Sequence, residues 1–268
     1  MKLLNGLELA GFIKQRQAKE VRSLKQGQNI LPKLAIVQTK DDPVINTYVR
    51  LKQRYGADIG VDVELFTCEQ QEVKQLIDTL NNDQTVHGVI VQLPLEDPKQ
   101  TEAVVNMVSS AKDVDALGSK PIYDPATPMA ILWLLAGYNV DLKNKKIVLI
   151  GRGKLVGAPL EKILQTAGHD VEVIGRDVSD IKAHTIKADI IITATGSPAI
   201  LNPDMIKKDA VVVDAGVASE SGKTVGDLEL SVYERDDLII TPQKGGVGPL
   251  TVCALFENVI RAARQTNV

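Results

Sequence analysis

The sequence predicts an α/β protein of two domains, and three observations carry that prediction. Short runs rich in Ile, Val and Leu alternate with longer stretches of helical apolar spacing, the pattern of βαβ units on a parallel sheet. The alternation occurs twice, on either side of an aperiodic, proline-bearing stretch at 118–127. Aromatic residues make up only 3% of the chain while 44% is hydrophobic, so the core must be built from Ile, Leu, Val and Ala. Such runs suit parallel strands buried on both faces.

Taken in order, residues 7–25 place Leu7, Leu9, Ala10, Ile13, Ala18, Val21 and Leu24 at helical spacing. Residues 34–37 read as a strand and 48–59 as a helix, and 61–66 alternate as a strand does. Helical spacing returns at 73–80, and 88–93 is a third strand, ended by Pro94. Pro121 and Pro125 make 118–127 the best linker. A helix is expected at 128–137, then a β-branched strand at 146–150 that runs straight into a glycine-rich turn and a helix at 160–167. Strands at 171–174, 190–194, 211–214 and 238–240 complete the second half. A last helix at 250–263 follows Gly245-Gly246-Val247-Gly248-Pro249, with Pro249 suited to its first turn.

The 268 residues are enough for two modest domains. A net charge of −3 leaves no general basic footprint for nucleic acid. No apolar run approaches the roughly 18–20 residues that span a bilayer, and the first residues lack the apolar core of a signal peptide. Cys68 and Cys253 lie far apart, and His87, His169 and His184 do not cluster with acids or cysteines at ligand spacing. The expectation is a cytoplasmic protein with reduced thiols, no metal, and neither nucleic acid nor membrane as partner.

The glycine-rich turn Gly151-Arg152-Gly153-Lys154-Leu155-Val156-Gly157 sits between a strand and a helix. Glycines there let backbone N–H groups approach a pyrophosphate, and the helix start adds partial positive charge. The spacing is one residue longer than the common dinucleotide fingerprint. At the end of the next strand, Arg176 and the loop's Arg152 could clamp a 2′-phosphate, which favours NADP over NAD. Both arginines are equally compatible with solvent-facing roles, and Asp177 could serve a ribose instead. Thr195-Gly196-Ser197-Pro198 follows a strand and could line a cofactor edge.

Tyr48 and Lys52 stand one helical turn apart and share a face. An isolated pair of this kind is usually a half-buried ring beside a solvated charge. Gln92 lies beyond a strand end, where open α/β sheets bind ligands, though a turn role fits it equally. Asp113 and Asp115 are either solvated loop charges or, for Asp115, a carboxylate that accepts two hydrogen bonds from an amino-substituted heterocycle. Gly245–Pro249 alone is no more than a helix-start turn.

Together and in this order, Tyr48-Val49-x-x-Lys52, Gly88-Val89-Ile90-Val91-Gln92-Leu93-Pro94, Lys112-Asp113-Val114-Asp115, Gly151-Arg152-x-x-x-Val156-Gly157-x-Pro159 and Gly245-Gly246-Val247-Gly248-Pro249-x-Thr251 resemble the bifunctional methylenetetrahydrofolate dehydrogenase/cyclohydrolase (FolD) family. The resemblance spans nearly the whole chain. It implies an N-terminal folate-side domain, 1–118, completed by the C-terminal helix, 249–268. A Rossmann-type NADP domain, 119–248, follows, with an active-site cleft between the two. It further implies a homodimer acting on tetrahydrofolate derivatives, by oxidation of the 5,10-methylene to the 5,10-methenyl form and hydrolysis to the 10-formyl form. Lys52 would be the acid/base, Tyr48 the stacking platform, Gln92 the group that tunes Lys52, and Asp115 the holder of the pterin. Leu93, Gly248 and Pro249 would complete the substrate contacts. Gly151, Arg152, Gly153, Arg176 and Val217 would contact the cofactor.

The chain departs from the family pattern at Ile45, where a serine is usual, and at Ala116-Leu117, where Gly-Phe is common. It departs again at Gly153, often serine, and at Gln243-Lys244, usually Val-Pro. Lys244 adds a cation that either meets a folate glutamate tail or sits in solvent. Two other readings compete. One is a different two-domain Rossmann dehydrogenase, of amino-acid or shikimate type, with Lys52 in another role. The other is a non-catalytic folate- or NADP-binding protein.

Overall fold

A computed structural model describes residues 1–220 and 223–265. The last residues of the expected C-terminal helix, 266–268, lie outside the described residues, as do 221–222 of the expected NADP domain. The chain forms two compact units, one of Gly11–Ala126 with the chain from Val252 onward, the other of Met1–Ala10 with Thr127–Thr251.

The elements in chain order are β1 (Lys2–Leu3), α1 (Gly6–Gln28), β2 (Lys33–Gln38), α2 (Pro43–Ile59), β3 (Asp62–Thr67), α3 (Val73–Asn82), β4 (Gly88–Val91) and α4 (Thr101–Val105). Next come α5 (Ala126–Gly137), β5 (Ile147–Ile150), α6 (Gly157–Thr166), β6 (Val171–Ile174), α7 (Ile181–Thr185) and β7 (Ile190–Thr193). The chain closes with β8 (Val211–Asp214), β9 (Ala218–Glu220), β10 (Lys223–Val225), β11 (Ile239–Ile240) and α8 (Val247–Gln265).

In the first unit, three parallel strands run in the order β3-β2-β4. Central β2 is almost wholly buried, as its apolar run predicts. Edge strand β3 pairs only with β2, so its six residues are all partly or fully exposed rather than alternating. Ala35, Val37, Val89 and Val91 pack with Val73, Ile77 and Leu80 of α3 into one core cluster. The chain steps from β2 to one side and then crosses to the other, so the sheet's switch point lies at the carboxyl ends of β2 and β4. Ligands of open α/β sheets bind at such points.

Helix α2 begins at Pro43, five residues earlier than its apolar spacing suggests. The Asp42 carboxylate accepts from Val44 N at 2.8 Å and Ile45 N at 3.3 Å. Pro43 costs nothing at a first-turn position that has no partner for an N–H. A cap of this kind stabilises a helix by about 1 kcal/mol. Gly60, at φ 85°, ends it.

The expected linker is no free tether. Tyr123 is buried at 4% exposure and its hydroxyl donates to Ala111 O at 2.8 Å. Asn258 of α8 donates through Nδ2 to Asp124 O at 2.8 Å and to Val114 O at 2.9 Å. Two proline residues mark irregular backbone, but they do not reveal an aromatic anchor.

The second unit is a six-stranded parallel sheet in the order β1-β11-β8-β7-β5-β6. Strand β1 pairs with β11 in register Lys2 to Ile239, which two residues of pattern cannot foretell. The switch point falls between β5 and β7. Among the described residues no helix is long and apolar enough to cross a membrane, and neither Cys68 nor Cys253 is in a disulfide.

Candidate active site

In the first unit, α2 presents Tyr48 and Lys52, and β4 delivers Gln92 just past its last residue. Gln92 N donates to Val37 O at 2.8 Å, which extends the ladder of β4 on β2 by one step. The Gln92 amide donates through Nε2 to Leu93 O at 3.0 Å and so turns its oxygen outward. Lys52 Nζ donates to that oxygen at 2.8 Å. Burial pushes the Lys52 pKa down, because a desolvated ammonium is costly, and the Asp115 carboxylate partly restores it. Burial likewise raises the Asp115 pKa, while Lys52 pulls it down. Asp115 is desolvated but half-buried, so the residue keeps some accessible surface. An amide and a carboxyl thus bracket a lysine whose neutral form is accessible, a group able to take and return a proton. Tyr48 leaves 39% of its surface open beside it.

The two aspartates of 112–115 divide their work. Asp113 is 4% exposed and accepts from Gly118 N at 2.8 Å and Leu117 N at 3.2 Å, so it builds the loop. Lys112 Nζ donates to Leu80 O at 2.8 Å and Asp83 O at 2.6 Å, at the C-terminal end of α3 where a cation is favoured.

The departures find physical places. Ile45 is buried at 4% exposure, and Leu93 and Leu117 pack on the core cluster of β2 and β4. Ala116 has φ 56°. A left-handed conformation costs a non-glycine residue about 1–2 kcal/mol, and glycine gives back part of that as chain entropy. Ala116→Gly is therefore expected to stabilise the protein by about 0.5–1 kcal/mol in urea unfolding. An unchanged or lower midpoint would show the strain is not there.

In the second unit, β5 runs into Gly151, whose φ is 101° and whose N donates to Ile174 O at 2.9 Å. A Cβ on Gly151 would lie 2.6 Å from Ala194 O, and one on Gly157 would lie 2.0 Å from Gly151 O. These two positions admit only glycine, and they bring the start of α6 against the strand end. A Cβ on Gly153 meets nothing within 4 Å, so serine or glycine serves the fold equally there. Arg152 is not free: Nε donates to Glu161 Oε2 at 2.8 Å and Nη2 to Oε1 at 3.2 Å. Arg176, exposed at the end of β6, has no ion pair among the described residues. Val217 is 58% exposed in the turn after β8. Gly248 and Pro249 stand in the first turn of α8, where a Cβ on Gly248 would meet open space. Gln243 and Lys244 are exposed in the turn before it.

Two carboxylates in this unit escaped the sequence reading. Asp214 and the fully buried Asp227 share a hydrogen-bond network at the ends of β7 and β8. The available signal was an aspartate beside or near a glycine in each case, Gly226-Asp227 and Asp214-Ala215-Gly216. Among the described residues no group of three or more His, Cys, Asp or Glu is placed to hold a metal ion.

Comparison with known proteins places the two halves in one family. Residues 4–115 match the catalytic domain of tetrahydrofolate dehydrogenase/cyclohydrolase, and 125–267 match its NAD(P)-binding domain. The chain is 34% identical to the bifunctional protein FolD of Francisella philomiragia, over 100% of both chains. Among solved structures it resembles the bifunctional FolD enzyme of Campylobacter jejuni at 35% identity and a TM-score of 0.92, covering 99% of each chain. The Trypanosoma brucei dehydrogenase-cyclohydrolase, complexed with NADP cofactor and inhibitor, is similar at 27% identity and a TM-score of 0.90, covering 99% of this chain and 98% of the other. The chain belongs to the tetrahydrofolate dehydrogenase/cyclohydrolase family.

Proposed function

We propose that this protein oxidises 5,10-methylenetetrahydrofolate to the 5,10-methenyl form with NADP, and hydrolyses that product to 10-formyltetrahydrofolate. The observation that carries the reading is the Lys52–Gln92 contact at 2.8 Å, on a lysine whose pKa burial has lowered. Family membership sets aside a shikimate- or amino-acid-type dehydrogenase.

In hydrolysis, neutral Lys52 takes a proton from the water that adds to the methenyl carbon. The resulting ammonium then returns a proton to the departing folate nitrogen as its bond to that carbon breaks, while the new hydroxyl releases its proton to solvent and becomes the carbonyl of the formyl group left on the other nitrogen. Gln92 suits this cycle because an amide accepts a hydrogen bond from the amine without the full charge that would hold it protonated. Tyr48 offers its ring face to the folate and Asp115 accepts from the pterin's amino-substituted edge, with Leu93 as an apolar wall. Gly248 and Pro249 match the end of the family's folate-site loop.

The residues present fit a dinucleotide: positions that admit only glycine open a helix start, where backbone N–H groups gather. Gly151, Arg152 and Gly153 would hold the pyrophosphate, Arg176 the 2′-phosphate, and Val217 the nicotinamide side; bound NADP would supply the hydride acceptor. Arg152 is paired with Glu161 while Arg176 has no ion pair among the described residues, which supports Arg176 as the main contact that favours NADP over NAD. Arg176→Ala is expected to weaken NADP about tenfold and NAD little, as loss of one charge-assisted contact would. Equal losses for the two nucleotides would contradict this.

The protein is further read as a cytoplasmic homodimer, which light scattering on a sizing column tests. One spectroscopic assay tests the activity. With methylenetetrahydrofolate and NADP or NAD in turn, reduced nucleotide and the methenyl absorbance are expected to rise first, followed by methenyl decay. Binding of both ligands without any absorbance change would instead favour a non-catalytic protein.

A further inference from the structure

Asp227 lies outside the regular strands of the sheet, yet its side chain reaches the carboxyl end of β7. Its Oδ2 accepts from Thr195 N at 2.8 Å and its Oδ1 from Ser197 N at 2.9 Å. No other described contact holds both N–H groups of this turn, although Thr195 Oγ1 also accepts from Ser197 N at 3.0 Å. Asp227 N in turn donates to both carboxylate oxygens of Asp214, at 3.1 and 3.0 Å. Asp214 also accepts from Gly216 N at 2.9 Å and Thr193 Oγ1 at 3.2 Å, while its own N donates to Thr241 Oγ1 at 3.0 Å. Three strand ends, those of β7, β8 and β11, are thereby tied to two carboxylates, Asp227 fully buried and Asp214 half-buried.

Two close approaches show that the chain is shaped around these groups. A Cβ on Gly216 would lie 2.1 Å from Asp227 Cγ, and one on Gly226 would lie 2.0 Å from Asp214 Oδ2. Burial raises the Asp214 pKa, with Asp227 adding to the rise and backbone N–H groups opposing it. A fully buried acid this close to a half-buried one is costly, so backbone donors must make up for lost water.

The turn that Asp227 holds sits where a nucleotide would. On one side it meets the glycine loop, since a Cβ on Gly151 would lie 2.6 Å from Ala194 O and 3.0 Å from Thr195 Cγ2. On the other, Gly196 (φ 65°) faces Val217 O, 3.2 Å from where its Cβ would be. The switch point between β5 and β7 is this same place.

We infer that Asp227 is a positioning residue for the NADP site, fixing the Thr195–Ser197 turn between the glycine loop and Val217 while touching no ligand itself. The inference rests on the NADP reading above. Asp227→Asn keeps the shape but sets an NH2 against one of the two backbone N–H groups. Gly216→Ala keeps the carboxylate but pushes it off the turn, since the added Cβ would lie 2.1 Å from Asp227 Cγ. For both variants, the NADP dissociation constant from titration calorimetry is expected to rise at least about tenfold. Hydrolysis of methenyltetrahydrofolate, which consumes no nucleotide, is expected to change less than about twofold. Unchanged NADP affinity in both variants would overturn the assignment, and so would parallel loss of both activities with a lowered Tm, the mark of a merely structural network. A wild-type protein that binds no NADP would sink the cofactor reading instead.

Discussion

Lys52→Met is expected to lower the rate of methenyltetrahydrofolate hydrolysis by about 10²–10⁴-fold, the usual worth of a positioned acid/base. Methionine keeps an unbranched chain of similar length in a half-buried position, and it removes the desolvation cost that depresses the lysine pKa. The fold should therefore survive, with circular dichroism unchanged and the urea midpoint equal or slightly higher. Gln92 Oε1 loses its 2.8 Å donor, but the residue is only partly buried and water can replace the amine. Retained hydrolysis in a folded Lys52→Met protein would remove Lys52 from the mechanism.

The second large effect is expected from Gly157→Ala. The added Cβ would lie 2.0 Å from Gly151 O, 2.8 Å from Gly151 C and 3.0 Å from Arg152 Cα. All three are backbone atoms, so no side chain can swing aside. The start of α6 must part from the glycine loop, which spreads the N–H groups meant for the pyrophosphate. Overpacking of this kind costs about 1–3 kcal/mol, which in binding corresponds to about fivefold to 150-fold weaker NADP. Gly153→Ala, with open space around its Cβ, is the matched control and is expected to leave NADP affinity nearly unchanged. Similar losses in the two variants would mean that the loop's backbone does not cradle the phosphates.

What could be read from the chain follows the range of the physics involved. Apolar runs and helical spacing are local signals, so the strand–glycine–helix unit from Ile147 to Thr166 was legible, as were the buried strands β2, β4 and β7. Boundaries were less so: Asp42-Pro43 marks the start of α2, but the apolar spacing that locates a helix begins later. Contacts between distant residues leave no local trace. Lys52 and Gln92 are 40 residues apart, and nothing in either segment says that they meet at 2.8 Å. Arg152 reads as a phosphate ligand, and nothing local says that its fork also meets Glu161, nine residues on. Asp227 meets Thr195 across 32 residues and was invisible for the same reason. Asp115 reads as a solvated loop charge or a pterin holder, yet its charge also acts on Lys52.

That last coupling sets the central claim: Lys52 works as a neutral amine because burial outweighs Asp115 and because Gln92 carries no charge. The sign follows directly. A lysine whose folded pKa is lowered is neutral, and competent as a base, at a pH where an ordinary lysine is still protonated. The hydrolysis rate should then climb with pH and level off above the Lys52 pKa, below the range of a free lysine. The pH–rate profile of hydrolysis, measured on the wild-type protein and on Gln92→Glu, tests this most directly. A carboxylate at position 92 stabilises the ammonium, so the rising limb is expected to move to higher pH in the variant while the plateau is approached at alkaline pH. Rising limbs that coincide would contradict the account.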